Sequence, residues 1–214
     1  MIDQIGPYRI VRKLGEGGMG VVYAAEDERL HRAVAIKTIR DNGDASARER
    51  FLREARAAAS LSHPNVCQLF DIGDTEGTPF LVMELLDGES LGERLTRGAL
   101  PLAESIRITL AILTALEALH GRGFVHRDLK PSNVFLTGYG VKLLDFGLAR
   151  ELQPAQLSAD ATTMQPGHSP LTLSGMIVGT PRYMAPEQIL GAPVDGRTDL
   201  FSAATLLYEM VAGA

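Results

Sequence analysis

The stretch KLGEGGMGVVYAAE, Lys13 to Glu26, read together with RAVAIKTI, Arg32 to Ile39, decides the fold. Its glycines fall at Gly15, Gly17 and Gly20, a spacing that lets a backbone close around a phosphate, because glycine has no Cβ to hold it off. In a dinucleotide-binding fold such a run follows a strand and opens a helix. Here GVVYAAED follows, β-branched and aromatic, which is a strand pattern. A nucleotide P-loop would close on Gly-Lys-Ser/Thr, and this run does not. What remains is a glycine turn between two antiparallel strands: a flap over a ligand, or an ordinary glycine-rich hairpin. Lys37, seventeen residues beyond Gly20 in VAIK, tilts that choice towards the flap.

Any anion under such a flap has to be held locally. The chain has 214 residues and a net charge of -5, which argues against a general nucleic-acid or membrane-surface binder. With 45% hydrophobic and 22% charged residues, its composition suits a soluble globular protein, either one large domain or two lobes sharing a cleft. Cys67 is the single cysteine, so no internal disulfide forms, and a reducing cytosol suits the chain. No run reaches the roughly 18 apolar residues of a membrane span. MIDQIGPYRI also lacks the blocks of a signal peptide. The expected location is cytoplasmic, or the cytoplasmic face of a membrane if an anchor lies downstream.

Strand patterns occupy Tyr8 to Lys37 as YRIVRKL, GVVYAAED and RAVAIKTI. DASARERFLREARAAASL reads as an amphipathic helix with Phe51, Leu52, Ala55, Ala58 and Ala59 on one face. HPNV stops it, because the residue before a proline leaves helical geometry. CQLFDIG and PFLVMELL are two further strands. Beyond Leu86, SLGERL is a short helix with Ser90 and Glu93 at capping-box spacing. LAESIRITLAILTALEALHGRG is a long helix that stops at Gly121 and Gly123, and its broad apolar surface calls for burial. Strands NVFLT and VKLLDF follow. From Arg150 to Gly179 there is little periodicity, and so long a loop is either functional or disordered. TDLFSAATLLYEMVAG is apolar almost all the way round, a helix for the middle of a core. With nothing after it to cover its outer face, the chain is expected to end before its domain does.

In order along the chain stand Gly15-Glu16-Gly17-Gly18-Met19-Gly20-Val21-Val22, Val34-Ala35-Ile36-Lys37, HRDLKPSN (His126 to Asn133), DFG (Asp145 to Gly147) and APE (Ala185 to Glu187). Five motifs in this order resemble the protein kinases, and within them the Hanks-type serine/threonine kinases of bacteria. The resemblance runs from Tyr8 to the end. It implies an α+β, bilobal protein-kinase-like fold. Residues 8–83 would form a small antiparallel β-sheet lobe with one helix, 84–86 a hinge, and 87–214 a mainly α-helical lobe missing its last helices. It also implies an enzyme that moves the γ-phosphate of ATP to Ser/Thr hydroxyls of protein substrates, with Mg2+ as the metal and Mn2+ as the alternative.

Phosphoryl transfer asks for alignment and for positive charge where negative charge accumulates. By the resemblance, the loop from Leu14 through Gly15, Gly17 and Gly20 covers the phosphates. Lys37 holds the α- and β-phosphates and pairs with Glu54. Asn133 and Asp145 are the metal ligands, an amide and a carboxylate, which suffice for a cation that keeps waters and phosphate oxygens. Asp128 accepts the proton or hydrogen bond of the acceptor hydroxyl, Lys130 neutralises the moving phosphate, and Thr180 braces both. Adenine is implied to lie against Val22, Ala35 and Phe135, with Met83 at the back and backbone groups of Glu84 and Leu86 along its edge. His126 is read as packing and hydrogen bonding rather than catalysis.

The resemblance also implies regulation. Arg127 is placed to meet a phosphate on the activation loop, a guanidinium fork against a group of about -1.5 to -2 charge. Thr172 and Ser174 are the expected autophosphorylation sites, modified in trans within a homodimer. Two departures stand out. Ala203-Ala204 replaces a larger residue and glycine, and the arginine partner expected for Glu187 is missing from the chain. An isolated chain of this length is therefore expected to be poorly soluble or weakly active. Two other readings stay open: an ATP-binding pseudokinase scaffold, disfavoured by Lys37, Asp128, Asn133 and Asp145, and a small-molecule kinase, disfavoured by GTPRYMAPE.

Overall fold

The computed structural model describes residues 3–17, 20–39, 52, 55–56, 59–75, 77–144 and 181–213. Glu54, Asp145, Thr172, Ser174 and Thr180 lie outside the described residues. The chain begins as a six-stranded antiparallel sheet in the order β1-β2-β3-β4-β6-β5. The strands are β1 (Gln4–Ile5), β2 (Tyr8–Gly17), β3 (Gly20–Asp27), β4 (Arg32–Ile39), β5 (Leu69–Thr75) and β6 (Thr78–Glu84). The glycine run therefore does join two antiparallel strands. Leu52, Ala55, Arg56 and Ala59, all within the stretch read as an amphipathic helix, are helical.

Alternation along β4 assigns the two faces of this sheet. Val34 and Ile36 turn to a cluster with Ile5, Tyr8, Ala25, Phe80 and Val82. Ala35 and Lys37 turn the other way, and their cross-strand partners share that face: Ala24 and Met83 opposite Ala35, Val22 and Leu81 opposite Lys37. Four residues read from sequence as nucleotide contacts, Val22, Ala35, Lys37 and Met83, thus share one surface because a strand has period two.

Beyond residues 85–87 come β7 (Gly88–Ser90) and α1 (Leu91–Leu95), the latter with the expected capping box of Ser90 and Glu93. Next are α2 (Leu102–His120), a 3-10 turn Pro131–Asn133, β8 (Val134–Thr137), β9 (Gly140–Leu143), a second 3-10 turn Pro181–Tyr183, α3 (Pro186–Ile189) and α4 (Gly196–Ala212). Strands β7, β8 and β9 form a separate small sheet. Asp195 caps the start of α4 and Gly213, at φ 70°, ends it in the left-handed conformation.

One core runs through both parts. It joins Ile39, Leu61, Val66 and Leu81 above to Leu116, Leu129, Val134, Leu143 and Leu206 below. Truncating a leucine in such a core costs about 2–5 kcal/mol. The HPNV segment ties the two sheets together. Asn65 Nδ2 donates to the Val141 carbonyl at 2.9 Å, Leu143 N–H to the Asn65 carbonyl at 2.8 Å, and Cys67 N–H to the Leu143 carbonyl at 2.9 Å. At the end of β6, Lys142 Nζ meets Glu84 Oε2 at 2.8 Å.

Both long helices are buried on one face only: for α2 this is less than its broad apolar surface led us to expect, and for α4 it leaves open the outer face that the sequence left without cover. The inner face of α2 carries Ser105, Ile108, Thr109, Ile112, Ala115, Leu116 and Leu119, while Leu102, Ile106 and Leu110 are exposed at one-turn intervals. The inner face of α4 starts with Thr198, Asp199 and Ser202, and Leu200, Phe201, Tyr208 and Val211 are exposed. A serine or threonine can be buried in a helix because its hydroxyl bonds the preceding turn. Thr109 Oγ1 does so to the Ser105 carbonyl, at 2.8 Å, and Ser202 Oγ to the Thr198 carbonyl, at 3.2 Å.

Candidate active site

The three glycines of the opening run are not equivalent. Gly20 has φ 146°, and a Cβ built there would lie 1.7 Å from the Thr38 carbonyl oxygen of β4. Only glycine fits that crossing. At Gly15 and Gly17 an added Cβ meets nothing within 4 Å. The first half of the motif is therefore bare backbone over open space, the kind of cradle a phosphate uses, and the second half is a structural necessity. Leu14 is partly exposed beside it. Lys37, on the strand beneath, is buried to 6% exposure.

The loop 126–133 gathers its polar side chains around Asp128. Lys130 Nζ lies 2.8 Å from Asp128 Oδ2. Asn133 Nδ2 donates to the same oxygen at 3.0 Å and to the Asp128 carbonyl at 2.8 Å. That leaves the Oδ1 end of the amide for a cation. Asn133 also accepts, through its backbone carbonyl, the N–H of Leu144 at 2.9 Å. Among the described residues no group of three or more His, Cys, Asp or Glu could hold a metal. The Asn133 amide oxygen is a hard donor of the kind that a divalent cation with phosphate and water ligands accepts.

Asp128 sits on an unusual turn. Its N–H donates to the His126 carbonyl at 2.8 Å across Arg127, whose φ is 62°. This is the rare γ-turn with positive φ. A non-glycine residue held there costs about 1–3 kcal/mol and persists only where its surroundings over-determine it. The determinant is Asp199, on the first turn of α4 and 0% exposed. Its Oδ2 accepts the His126 N–H at 2.8 Å, and its Oδ1 the Arg127 N–H at 2.8 Å. His120 Nε2, at the end of α2, reaches Oδ2 at 2.7 Å. Sequence reading passed Asp199 over as part of an apolar helix. The available signal was a carboxylate in the first turn of a helix meant for the core, which needs partners to be buried at all.

Phe135, facing away from the core on β8, stands opposite Lys142, the residue that reaches Glu84. Glu84 closes β6, so the connection between the sheets runs through 85–87, with Leu86 at its centre. The Glu84 N–H is committed to the Gln68 carbonyl at 2.9 Å. Its own carbonyl receives a long 3.8 Å contact from the Cys67 thiol, and a carbonyl oxygen with two lone pairs can accept a further bond.

On the far side of the loop, Tyr183 OH donates to Glu209 Oε2 at 2.6 Å, and burial first, then this carboxylate, push its pKa up. Glu187 has a partner within the chain. Its Oε1 accepts from Thr198 Oγ1 at 2.6 Å, and that hydroxyl, ahead of its own N–H, holds the carboxyl below the usual range.

Residues 8–214 match the family model described as protein kinase domain. The serine/threonine-protein kinase pkn2 of Myxococcus xanthus is 41% identical over 97% of this chain, and PksC of Streptomyces coelicolor, a serine/threonine-protein kinase, is 44% identical over 97%. The chain spans only 24% and 37% of those two proteins. The solved kinase domain of Mycobacterium tuberculosis PknI superposes with a TM-score of 0.75 at 31% identity, over 99% of this chain and 76% of that one. The match spans the glycine hairpin, the strand lysine and the pinned aspartate loop, and the chain belongs to the protein kinase domain family.

Proposed function

We propose that the protein is a serine/threonine protein kinase, transferring the γ-phosphoryl group of ATP to Ser/Thr hydroxyls of protein substrates. The observation that carries this reading is the constellation at Asp128, with the Lys130 amine at 2.8 Å and the Asn133 amide at 3.0 Å from one carboxylate oxygen. An acceptor hydroxyl placed against the other oxygen finds an acceptor for its proton or hydrogen bond. Lys130 stands ready to offset charge on the group in transit, and its pairing with Asp128 keeps both aimed before substrate arrives. Lys in this position favours Ser/Thr substrates.

ATP with Mg2+ supplies the phosphoryl donor and its charge compensation when bound. Asn133 and Asp145 would hold the metal. Lys37 would hold the α- and β-phosphates, paired with Glu54. The bare backbone at Gly15 and Gly17 would close on the phosphates, and Val22, Ala35, Met83 and Phe135 would line the adenine. The carbonyl of Glu84 and the backbone of Leu86 would bond its edge, and Thr180 would brace Asp128 and Lys130. Phosphorylation of Thr172 and Ser174, in trans between two copies, would order the activation loop through Arg127, in a cytoplasmic setting.

Incubating the protein with ATP, Mg2+ and a Ser/Thr peptide pool, followed by phosphopeptide mass spectrometry, tests the reading. Asp128→Asn should cut kcat by about 10²–10⁴-fold with nucleotide binding preserved. Transfer that survives this change undiminished would sink it.

A further inference from the structure

The γ-turn that presents Asp128, residues 126–128, has six backbone polar groups to satisfy. Asp199 takes the N–H groups of His126 and Arg127, and the turn's own bond joins Asp128 N–H to the His126 carbonyl. The Asp128 carbonyl accepts from Asn133 Nδ2 at 2.8 Å, and the remaining group, the Arg127 carbonyl, is taken by Gln188, whose Nε2 donates to it at 2.8 Å. Asp199 grips only the N–H side of Arg127. Rotation about the Arg127 Cα–C bond would swing the Arg127–Asp128 peptide, and the side chain of Asp128 with it. The bond from Gln188 resists that rotation.

Gln188 belongs to a different part of the chain, α3, just after APE. The other end of its amide, Oε1, accepts the Ala185 N–H at 3.1 Å. One planar group therefore spans from the peptide in front of Asp128 to the turn Met184–Pro186. That turn is itself fixed to α4, by Ser202 Oγ on the Tyr183 carbonyl at 2.7 Å and by Thr198 on Glu187. The void among Arg127, Asp128, Met184 and Gln188 is about 10 Å³, room for one water at most. Shortening Gln188 or removing its amide N–H donor would let water take the carbonyl. The group would be satisfied but no longer aimed.

We infer that Gln188 is a positioning residue for phosphoryl transfer, which holds the Arg127 carbonyl so that Asp128 is aimed from the segment 181–189. This rests on the kinase reading above. Two variants of the full-length protein separate the possibilities. Gln188→Glu keeps the length and the acceptor for Ala185 N–H but sets an acceptor against the Arg127 carbonyl; Gln188→Met removes both bonds. In each, kcat towards a serine peptide, per nucleotide-binding site titrated with a fluorescent ATP analogue, should fall about tenfold or more. KM for ATP should change less than about twofold. Amide hydrogen exchange in 126–129 should quicken about tenfold, with exchange in the six-stranded sheet unchanged. Unchanged kcat per titrated site in an active protein overturns the inference, and so does unchanged exchange in 126–129. An unaltered protein that transfers no phosphate counts against the kinase reading instead, and the exchange measurement still decides whether Gln188 holds the turn.

Discussion

The hairpin of β2 and β3 and the loop 126–133 carry motifs of similar clarity in the sequence, yet opposite means hold them in place. The hairpin is fixed by its own neighbours: the ladder of β2, β3 and β4, and a close crossing of Gly20 over Thr38. The loop is strained at Arg127 and held by side chains that lie far along the chain, Asp199 and Gln188. A phosphate flap has to yield to its ligand, whereas a carboxylate that must meet a hydroxyl within about 3 Å has to be aimed beforehand.

The largest effect should come from removing the grip on the loop. Asp199→Ala leaves one buried and one part-buried N–H group without this acceptor, at about 1–3 kcal/mol for the buried one. A chemical-denaturation midpoint should drop accordingly, with loss of phosphoryl transfer. If stability and transfer both survive, the loop is not held in the way described.

Next comes a contrast within the hairpin. Gly20→Ala should destabilise by about 1–3 kcal/mol, since its Cβ would strike the Thr38 carbonyl and its φ suits only glycine. Gly17→Ala should change stability by less than about 0.5 kcal/mol while weakening nucleotide binding, because the space above it is open. Equal thermal shifts for the two would erase the distinction between a fold glycine and a site glycine.

The smallest effect sharpens the account of what supports the loop from α3 and α4. Glu187 is held below the usual carboxylate range chiefly by the Thr198 hydroxyl. A lowered folded-state pKa contributes stability above the unfolded value of about 4.3, and that contribution is lost as pH falls through the lowered one. The difference in melting temperature between the unaltered protein and Thr198→Val should therefore narrow from about pH 5 to about pH 3. A gap that stays constant over that range would point to packing instead.

Much of this was legible beforehand. The strands around Val34 to Lys37 and the capping box of Ser90 were written in local pattern, where neighbours a few residues apart decide the outcome. The short strand β7 and the helix α3 were not, because three or four residues carry too little periodicity to stand out. The one-sided burial of α2 also escaped, since a broad apolar surface does not say which part of it meets the core, whereas the open outer face of α4 was expected.

Sequence alone determined the order of the motifs, the strand that carries Lys37 and the residue types available at Asp128, Lys130 and Asn133. Those follow from residue type and from periods of two and 3.6, which are local properties of a chain. Only the tertiary structure decided that Asp199 and Gln188 take hold of Arg127, and that Gly20, unlike Gly17, is required by the fold. These are contacts between residues as much as 72 positions apart, and no local pattern encodes which buried polar group will satisfy which.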